Sequence, residues 1–349
     1  MKKRSTSIVL GLLFALVVAI SFAPSWVKAC SRIFWNDNGV AMVAARTLDW
    51  SHSFEDLLMV IPRGERMNGG FKDSPEWTAK YGSVVATVIP FIQQFGFDYV
   101  DDGAVDGINE KGLTVHGLYL GETVYPSDEL SDLPKVSYFR WGRYLLDNYA
   151  NVKETVAGME KVRIAPVKMG DKVLGAHFAV EDPTGDSAIF EFIDGNLVIH
   201  HGKKYTVMTN EPPYPVHIYT LKEYKDFGGT KTDKDLPGST DSDARFIRAA
   251  TFLHRLKKPA DAGDALGRVL GVARTVQVPF DADEYGPTWY TSLTDLTNKV
   301  YYFDWALTPN IVWVELRNLD FSKGQPVKEL NPRQPNIVGE VSGSFVPVK

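Results

Sequence analysis

The sequence predicts an α+β fold in which antiparallel sheets pack face to face with helices outside them. Three observations carry this: strand-like segments fill both ends of the chain, helical periodicity is confined to a few separate blocks, and no regular β-α-β alternation joins them. No low-complexity linker or internal repeat divides residues 30–349, so one domain is expected there.

The first strand is expected from Cys30 to Trp35 and the second from Gly39 to Asp49, with Asp37-Asn38-Gly39 as a tight-turn signal for a hairpin. Leu57 to Pro62, Ser83 to Pro90, Leu113 to Leu120, His177 to Val180 and Ser187 to Ile193 follow as strands. Asp194-Gly195-Asn196 turns into Leu197 to His201, and Tyr205 to Asn210 comes close behind. Helical spacing marks Pro134 to Tyr149, Val152 to Val162, Asp243 to Leu256 and Ala260 to Ala273, with Pro134 and Asp243 as sensible starts. The Gly-, Lys-, Asp- and Thr-rich stretch from Tyr224 to Asp243 reads as a long surface loop. Strands return at Trp289 to Asp295, Val300 to Trp305 and Ile311 to Leu316.

The amino terminus reads as a secretory signal peptide, residues 1–29. Met1-Lys2-Lys3-Arg4 is a basic start, Ile8 to Ile20 an apolar run, and Val27-Lys28-Ala29 a small-residue cleavage site. The apolar run is short for a membrane span, so export to the periplasm or outside is expected without stable membrane insertion. The formal charge is −5, and −9 once Lys2, Lys3, Arg4 and Lys28 leave with the signal, which argues against nucleic acid as a partner. The seven histidines are scattered or adjacent and form no ligand pattern, so no metal and no cofactor are expected. Cys30 is the only cysteine, which excludes an intramolecular disulfide.

Cleavage after Ala29 would make Cys30 the first residue, with a thiol and a free α-amino group. A free thiol near pKa ~8.5 is mostly protonated at neutral pH, whereas an α-amine titrating near ~8 is partly neutral and can take its proton. Nucleophile and base then share one residue, which suits acyl transfer through a thioester. Oxyanion donors and a group orienting the amine are also needed. Arg46 and Asp49 close the second strand and would pair back toward Cys30. Asn210 stands before the turn Glu211-Pro212-Pro213, and Arg245 opens a helix. Taken alone, Arg46 and Asp49 suit a surface ion pair, Asn210 a turn and Arg245 a solvated helix face.

Six motifs stand in order: Cys30-Ser31-Arg32, Arg46-Thr47-Leu48-Asp49, Asn109-Glu110-Lys111-Gly112-Leu113 leading to Gly117-Leu118-Tyr119, Thr209-Asn210, Ala244 to Arg248, and Tyr290-Thr291-Ser292. Together they resemble the choloylglycine hydrolase family of N-terminal nucleophile hydrolases, which contains penicillin V acylases and bile salt hydrolases. The resemblance runs from Cys30 to about Trp305. It implies a four-layer αββα sandwich, with Cys30 as nucleophile and base, Asp49 holding the α-amine and Arg46 beside the thiol. Asn210 and Tyr119 would form the oxyanion hole, and Arg245 would support the charge network. Tyr119 stands where bile salt hydrolases commonly carry Asn and penicillin V acylases Tyr, which favours an acylase.

The expected substrate is a small linear amide with an apolar or aromatic acyl group, such as phenoxyacetyl penicillin or an acyl homoserine lactone, with bile salts as the alternative. A homotetramer is implied as well, although the segment between Asn210 and Arg245 is shorter than in the family's tetrameric members. Phe91 to Tyr99 reads either as a loop over an apolar pocket or as core. The rival from a different class is a lipid-anchored binding protein, since Val27-Lys28-Ala29-Cys30 partly resembles a lipoprotein cleavage site; Lys28 fits such a site poorly.

Overall fold

A computed structural model describes residues 30–93, 103–129, 131–169, 172–282, 286–308 and 310–348. Residues 1–29, expected to form a signal peptide, and residues 94–99 of the Phe91 to Tyr99 stretch lie outside the described residues.

Two large sheets dominate the described residues. In the first, seven strands run in the order Val207–Met208, Cys30–Trp35, Val43–Asp49, Thr288–Asp295, Val300–Trp305, Ile311–Glu315 and Gly339–Glu340. Its pairings are antiparallel except the last. The second has nine antiparallel strands: Asn196–His201, Ser187–Ile193, His177–Glu181, Thr114–Leu118, Ala104–Asn109, Ser83–Thr87, Leu57–Ile61, Lys328–Leu330 and Val346–Pro347.

Three packed interfaces turn these sheets into four layers. Between the sheets, Leu58, Val84 and Ile108 meet Tyr290, Phe303 and Val314. On the outer face of the second sheet, Val115, Phe178 and Phe190 pack on Trp141 and Leu145 of the helix Trp141–Asn148 and on Val152 of the helix Val152–Met159. On the outer face of the first, Ile33, Val43 and Leu293 pack on Phe246 and Leu253 of the helix Ser242–His254 and on Val269 and Val272 of Ala262–Arg274. This is the expected αββα sandwich. With helices on one side and a sheet on the other, Val43–Asp49 is buried at all seven positions, so exposure along it does not alternate.

Several local expectations change. Pro134 does not open a helix, because Lys135–Ser137 pairs in parallel with Arg163–Ala165 and one 3₁₀ turn precedes Trp141. Residues 36–42 join the first two strands, since Asn38 bonds the carbonyls of Trp35 and Ala41 and the amides of Val40 and Ala41. A longer connection than a tight turn results. Only Val207–Met208 pairs in the stretch expected to reach Asn210. The strand Ala104–Asn109 and the helix Tyr214–Leu221 were not expected. Asp194 and Gly195 both have positive φ (49° and 78°), as the primed turn of a two-residue hairpin requires.

Candidate active site

The hairpin register places the candidate residues. Cys30 stands opposite Leu48 and Arg32 opposite Arg46, so these four side chains share one face, toward the second sheet. Asp49 falls on the other face, toward the helices, opposite Thr288. Arg46 and Asp49 therefore approach Cys30 from opposite sides of one strand.

On the inter-sheet face, Arg46 Nη2 lies 4.0 Å from Cys30 Sγ and donates to the Gly117 carbonyl at 3.0 Å, while Nη1 donates to the Tyr290 hydroxyl at 2.7 Å. Burial opposes the Arg46 charge but is outweighed by Tyr290, Cys30, Asp106 and Asp56, so the guanidinium stays cationic. On the helix face, Asp49 Oδ1 accepts from Thr288 Oγ1 at 2.5 Å and Oδ2 from Thr47 Oγ1 at 3.2 Å. Burial pushes this carboxyl up to about 6, against Arg245, Thr288, Arg46 and Thr47. The Cys30 thiol is directed at the Asp49 backbone carbonyl, 3.7 Å away.

Arg245 joins the parts. It is 1% exposed, and its Nη1 donates to the Cys30 carbonyl at 2.6 Å and to Ser31 Oγ at 2.7 Å, with Asp49 Oδ2 3.9 Å off. Its Nη2 donates to Asn210 Oδ1 at 2.9 Å. That same oxygen accepts from Cys30 N at 2.5 Å, and Asn210 Nδ2 donates to the Tyr119 carbonyl at 2.8 Å. Two donors on one side and an acceptor on the other leave a single sensible orientation for this amide. The contact made by Cys30 N is thus with Asn210, while the Asp49 carboxylate is engaged by Thr288 and Thr47 and faces Arg245. Burial pushes the thiol above its ordinary range, Arg46 and Arg245 pull it down, and Asp49 adds to the rise.

Beside the thiol is a cavity of about 50 Å³, lined among others by Arg46, Trp50, Phe54, Tyr119, Tyr138 and Phe139. The Trp50 ring meets Phe54 at 4.8 Å and Tyr119 at 6.2 Å between centroids. Val88 and Gly103 also line it. Cys30 thus borders a small recess walled by aromatic rings. All six predicted residues therefore converge. Unforeseen were Trp50, Phe54, Tyr138 and Phe139 as lining, Thr288 and Thr47 on Asp49, and His217, whose Nε2 lies 3.2 Å from the Asn210 carbonyl. Thr47 stands inside the Arg46-Thr47-Leu48-Asp49 motif and Trp50 directly follows it; the others carry no local signal. Among the described residues no cluster of three or more His, Cys, Asp or Glu is placed to hold a metal ion.

Comparisons with known proteins agree with this geometry. Residues 30–329 match the family model for linear amide C–N hydrolases of the choloylglycine hydrolase family. The penicillin V acylase of Pectobacterium atrosepticum is 33% identical over 95% of this chain and 94% of its own length. The bile salt hydrolase/transferase of Bifidobacterium longum is 20% identical over 85% and 98%. The structure of penicillin V acylase from Agrobacterium tumefaciens superposes with TM-score 0.79 at 33% identity, covering 92% of this chain and 98% of that one. The conjugated bile acid hydrolase of Clostridium perfringens, at 20% identity, shares the fold with TM-score 0.73. A matched family over nearly all of residues 30–349, its αββα fold, and a buried cysteine among the residues its motifs predict make this chain a member of the choloylglycine hydrolase family of linear amide hydrolases.

Proposed function

We propose that the chain is an exported, penicillin V acylase-like amidase that uses Cys30 as an N-terminal nucleophile. The observation that carries this is the convergence of Asn210, gripped by Arg245, on Cys30 N and of Arg46 on Sγ, beside an aromatic cavity that Cys30 and Arg46 line. With residues 1–29 attached, Cys30 N is a peptide amide and takes no proton; cleavage after Ala29 turns it into an α-amine. Export and activation are then one event.

Burial raises the thiol pKa, so a standing thiolate is disfavoured and the neutral α-amine removes the thiol proton as attack begins. The Arg46 charge, 4.0 Å away, stabilises the sulfur as it becomes anionic. Sulfur attacks the amide carbon and the carbonyl oxygen becomes an oxyanion. Asn210 Nδ2 has one hydrogen on the Tyr119 carbonyl and a second for that oxyanion. The ammonium returns its proton to the leaving amine, a thioester forms, and water activated by the same amine hydrolyses it. Arg245 fixes the Cys30 carbonyl and the Asn210 amide together, so base, nucleophile and oxyanion donor keep one geometry.

Aromatic lining and the higher identity to penicillin V acylase than to bile salt hydrolase favour an aryloxyacetyl or fatty acyl group over a steroid. Acyl homoserine lactones fit the same chemistry. The test is intact mass of the exported protein, then its activity on phenoxymethylpenicillin, a long-chain acyl homoserine lactone and glycocholate, with and without iodoacetamide. A chain starting at Cys30 whose cleavage of the first or second substrate is lost on alkylation and in Cys30→Ser is expected. Activity surviving Cys30→Ser would falsify the nucleophile, glycocholate preference would move the reading to a bile salt hydrolase, and a lipidated Cys30 would replace it with an anchored binding protein.

A further inference from the structure

A cavity larger than the one at Cys30 lies elsewhere among the described residues. It measures about 720 Å³, within the range of small-molecule sites, and lies beyond the edge strand Val207–Met208 of the first sheet. Its floor is apolar, with Trp35, Ile218, Phe246 and Leu253 among its lining. Its basic lining residues are Lys203, Lys204, Lys222, His200 and His254, against the single acid Asp37. An apolar floor under a cationic rim complements one chemical class, an anion with an apolar tail.

The walls of this cavity also touch the groups that hold Asn210. Tyr214 and Phe246 both line it. The Tyr214 amide donates to buried Glu191 at 3.1 Å, and the other Glu191 oxygen lies 3.1 Å from Nε2 of the lining residue His200. Phe246 stacks on the His217 ring at 4.6 Å and 11°, and His217 Nε2 lies 3.2 Å from the Asn210 carbonyl. Burial pulls the His217 pKa down to about 4, so at neutral pH the ring is uncharged and can donate from Nε2 to that carbonyl. Phe246 is also the chain neighbour of Arg245, which grips Asn210 Oδ1. One ring packs against both the cavity and the support of the proposed oxyanion donor.

We propose that this cavity is a second ligand site, for an amphipathic carboxylate of the kind that hydrolysis of an apolar N-acyl amide releases, and that its occupancy alters turnover through Phe246, His217 and Asn210. The coupling rests on the reading of Cys30 and Asn210 as catalytic; the binding does not. Decanoate is the probe, measured by titration calorimetry on the whole exported chain with Cys30 blocked by iodoacetamide. One decanoate per chain is expected to bind the blocked protein, and about tenfold more weakly the variant Lys203→Glu/Lys204→Glu, whose changes lie on the exposed rim. With saturating phenoxymethylpenicillin, decanoate is expected to change kcat of the unblocked protein about twofold or more and to leave kcat of the double variant unchanged.

Binding abolished by alkylation would put the carboxylate in the catalytic cavity and overturn the second site. So would binding indifferent to the charge reversal, or a groove closed by another copy, seen as a dimer in sedimentation that the double variant disperses. Binding without a rate effect would overturn the coupling. A failed catalytic reading shows itself differently, as a rate insensitive to alkylation with the calorimetry intact.

Discussion

Two buried polar networks flank the first two strands, each setting arginine beside carboxylate but with different electrostatic outcomes. Between the sheets, Arg32 pairs with Glu181 at 2.9 Å, and His116 lies 2.8 Å from Glu181 and 2.6 Å from Asp106, all with fully buried side chains. Tyr301 donates to Asp106 at 2.8 Å, and Arg32 to Ser187 at 2.7 Å. Charges here cancel. Burial works against both carboxylates, but their cationic partners hold Asp106 and Glu181 below the ordinary range, and those carboxylates raise His116 to about 9 against its own desolvation. At Cys30 burial wins instead, and both the thiol and Asp49 are pushed toward their neutral forms. That network opens onto a cavity, and none of Arg32, Glu181, His116 or Asp106 lines one of the described cavities. A charge-balanced buried network welds layers together, whereas one in which burial outweighs pairing beside a recess can still exchange a proton.

The sharpest way to break the comparison is to remove one charge from the welded network. Arg32→Ala leaves Glu181 facing His116 alone and should lower unfolding free energy by about 3 kcal/mol or more by denaturant titration. Turnover per folded molecule should stay within a few fold. A large fall in kcat without loss of stability would join the two networks functionally, by way of the Arg46 charge that also acts on Asp106.

The converse change comes next in size. Asn210→Ala should reduce kcat by about a hundredfold or more, the cost of an oxyanion donor, with a smaller change in KM and a thermal midpoint lowered only by the lost bonds to Cys30, Arg245 and Tyr119. An unchanged kcat would return Asn210 to a turn role.

The smallest effect is pH dependence. His116 titrates in its ordinary range near 6.5 when unfolded and near 9 when folded, so its pairing stabilises fully below about 6.5 and is lost as pH rises through about 9. Between those limits stability should decline with pH, and His116→Gln should flatten that slope in denaturant titrations. An equal slope in both proteins would mean that His116 is not charged in the folded state.

Much of this was legible in the chain because it is local. Cys30–Trp35, Ser187–Ile193 and Val300–Trp305 form at the boundaries that their β-branched and aromatic residues and turn flanks indicate. The strand Ala104–Asn109 was not legible, because Asp106-Gly107 reads as a turn. Its carboxylate becomes tolerable in a sheet interior only once His116 and Tyr301 meet it, and a Cβ on Gly107 would sit 2.5 Å from the Val84 carbonyl. The helix Tyr214–Leu221 was hidden behind Pro212-Pro213, a turn signal that here precedes a helix start.

The sequence by itself determined the fold class, most of the longer strands of both sheets, the single cysteine behind a cleavable-looking leader, and the identity of six residues that come together. Nothing in it said that Asn210 would receive Cys30 N while Asp49 turned toward Thr288 and Arg245, nor which aromatics would wall the cavity. Those outcomes depend on hairpin register and on how the Ser242–His254 helix docks against the first sheet. Such contacts join positions as much as 244 residues apart, as Arg46 joins Tyr290. Periodicity reports which face a residue takes, but only packing decides what meets it there.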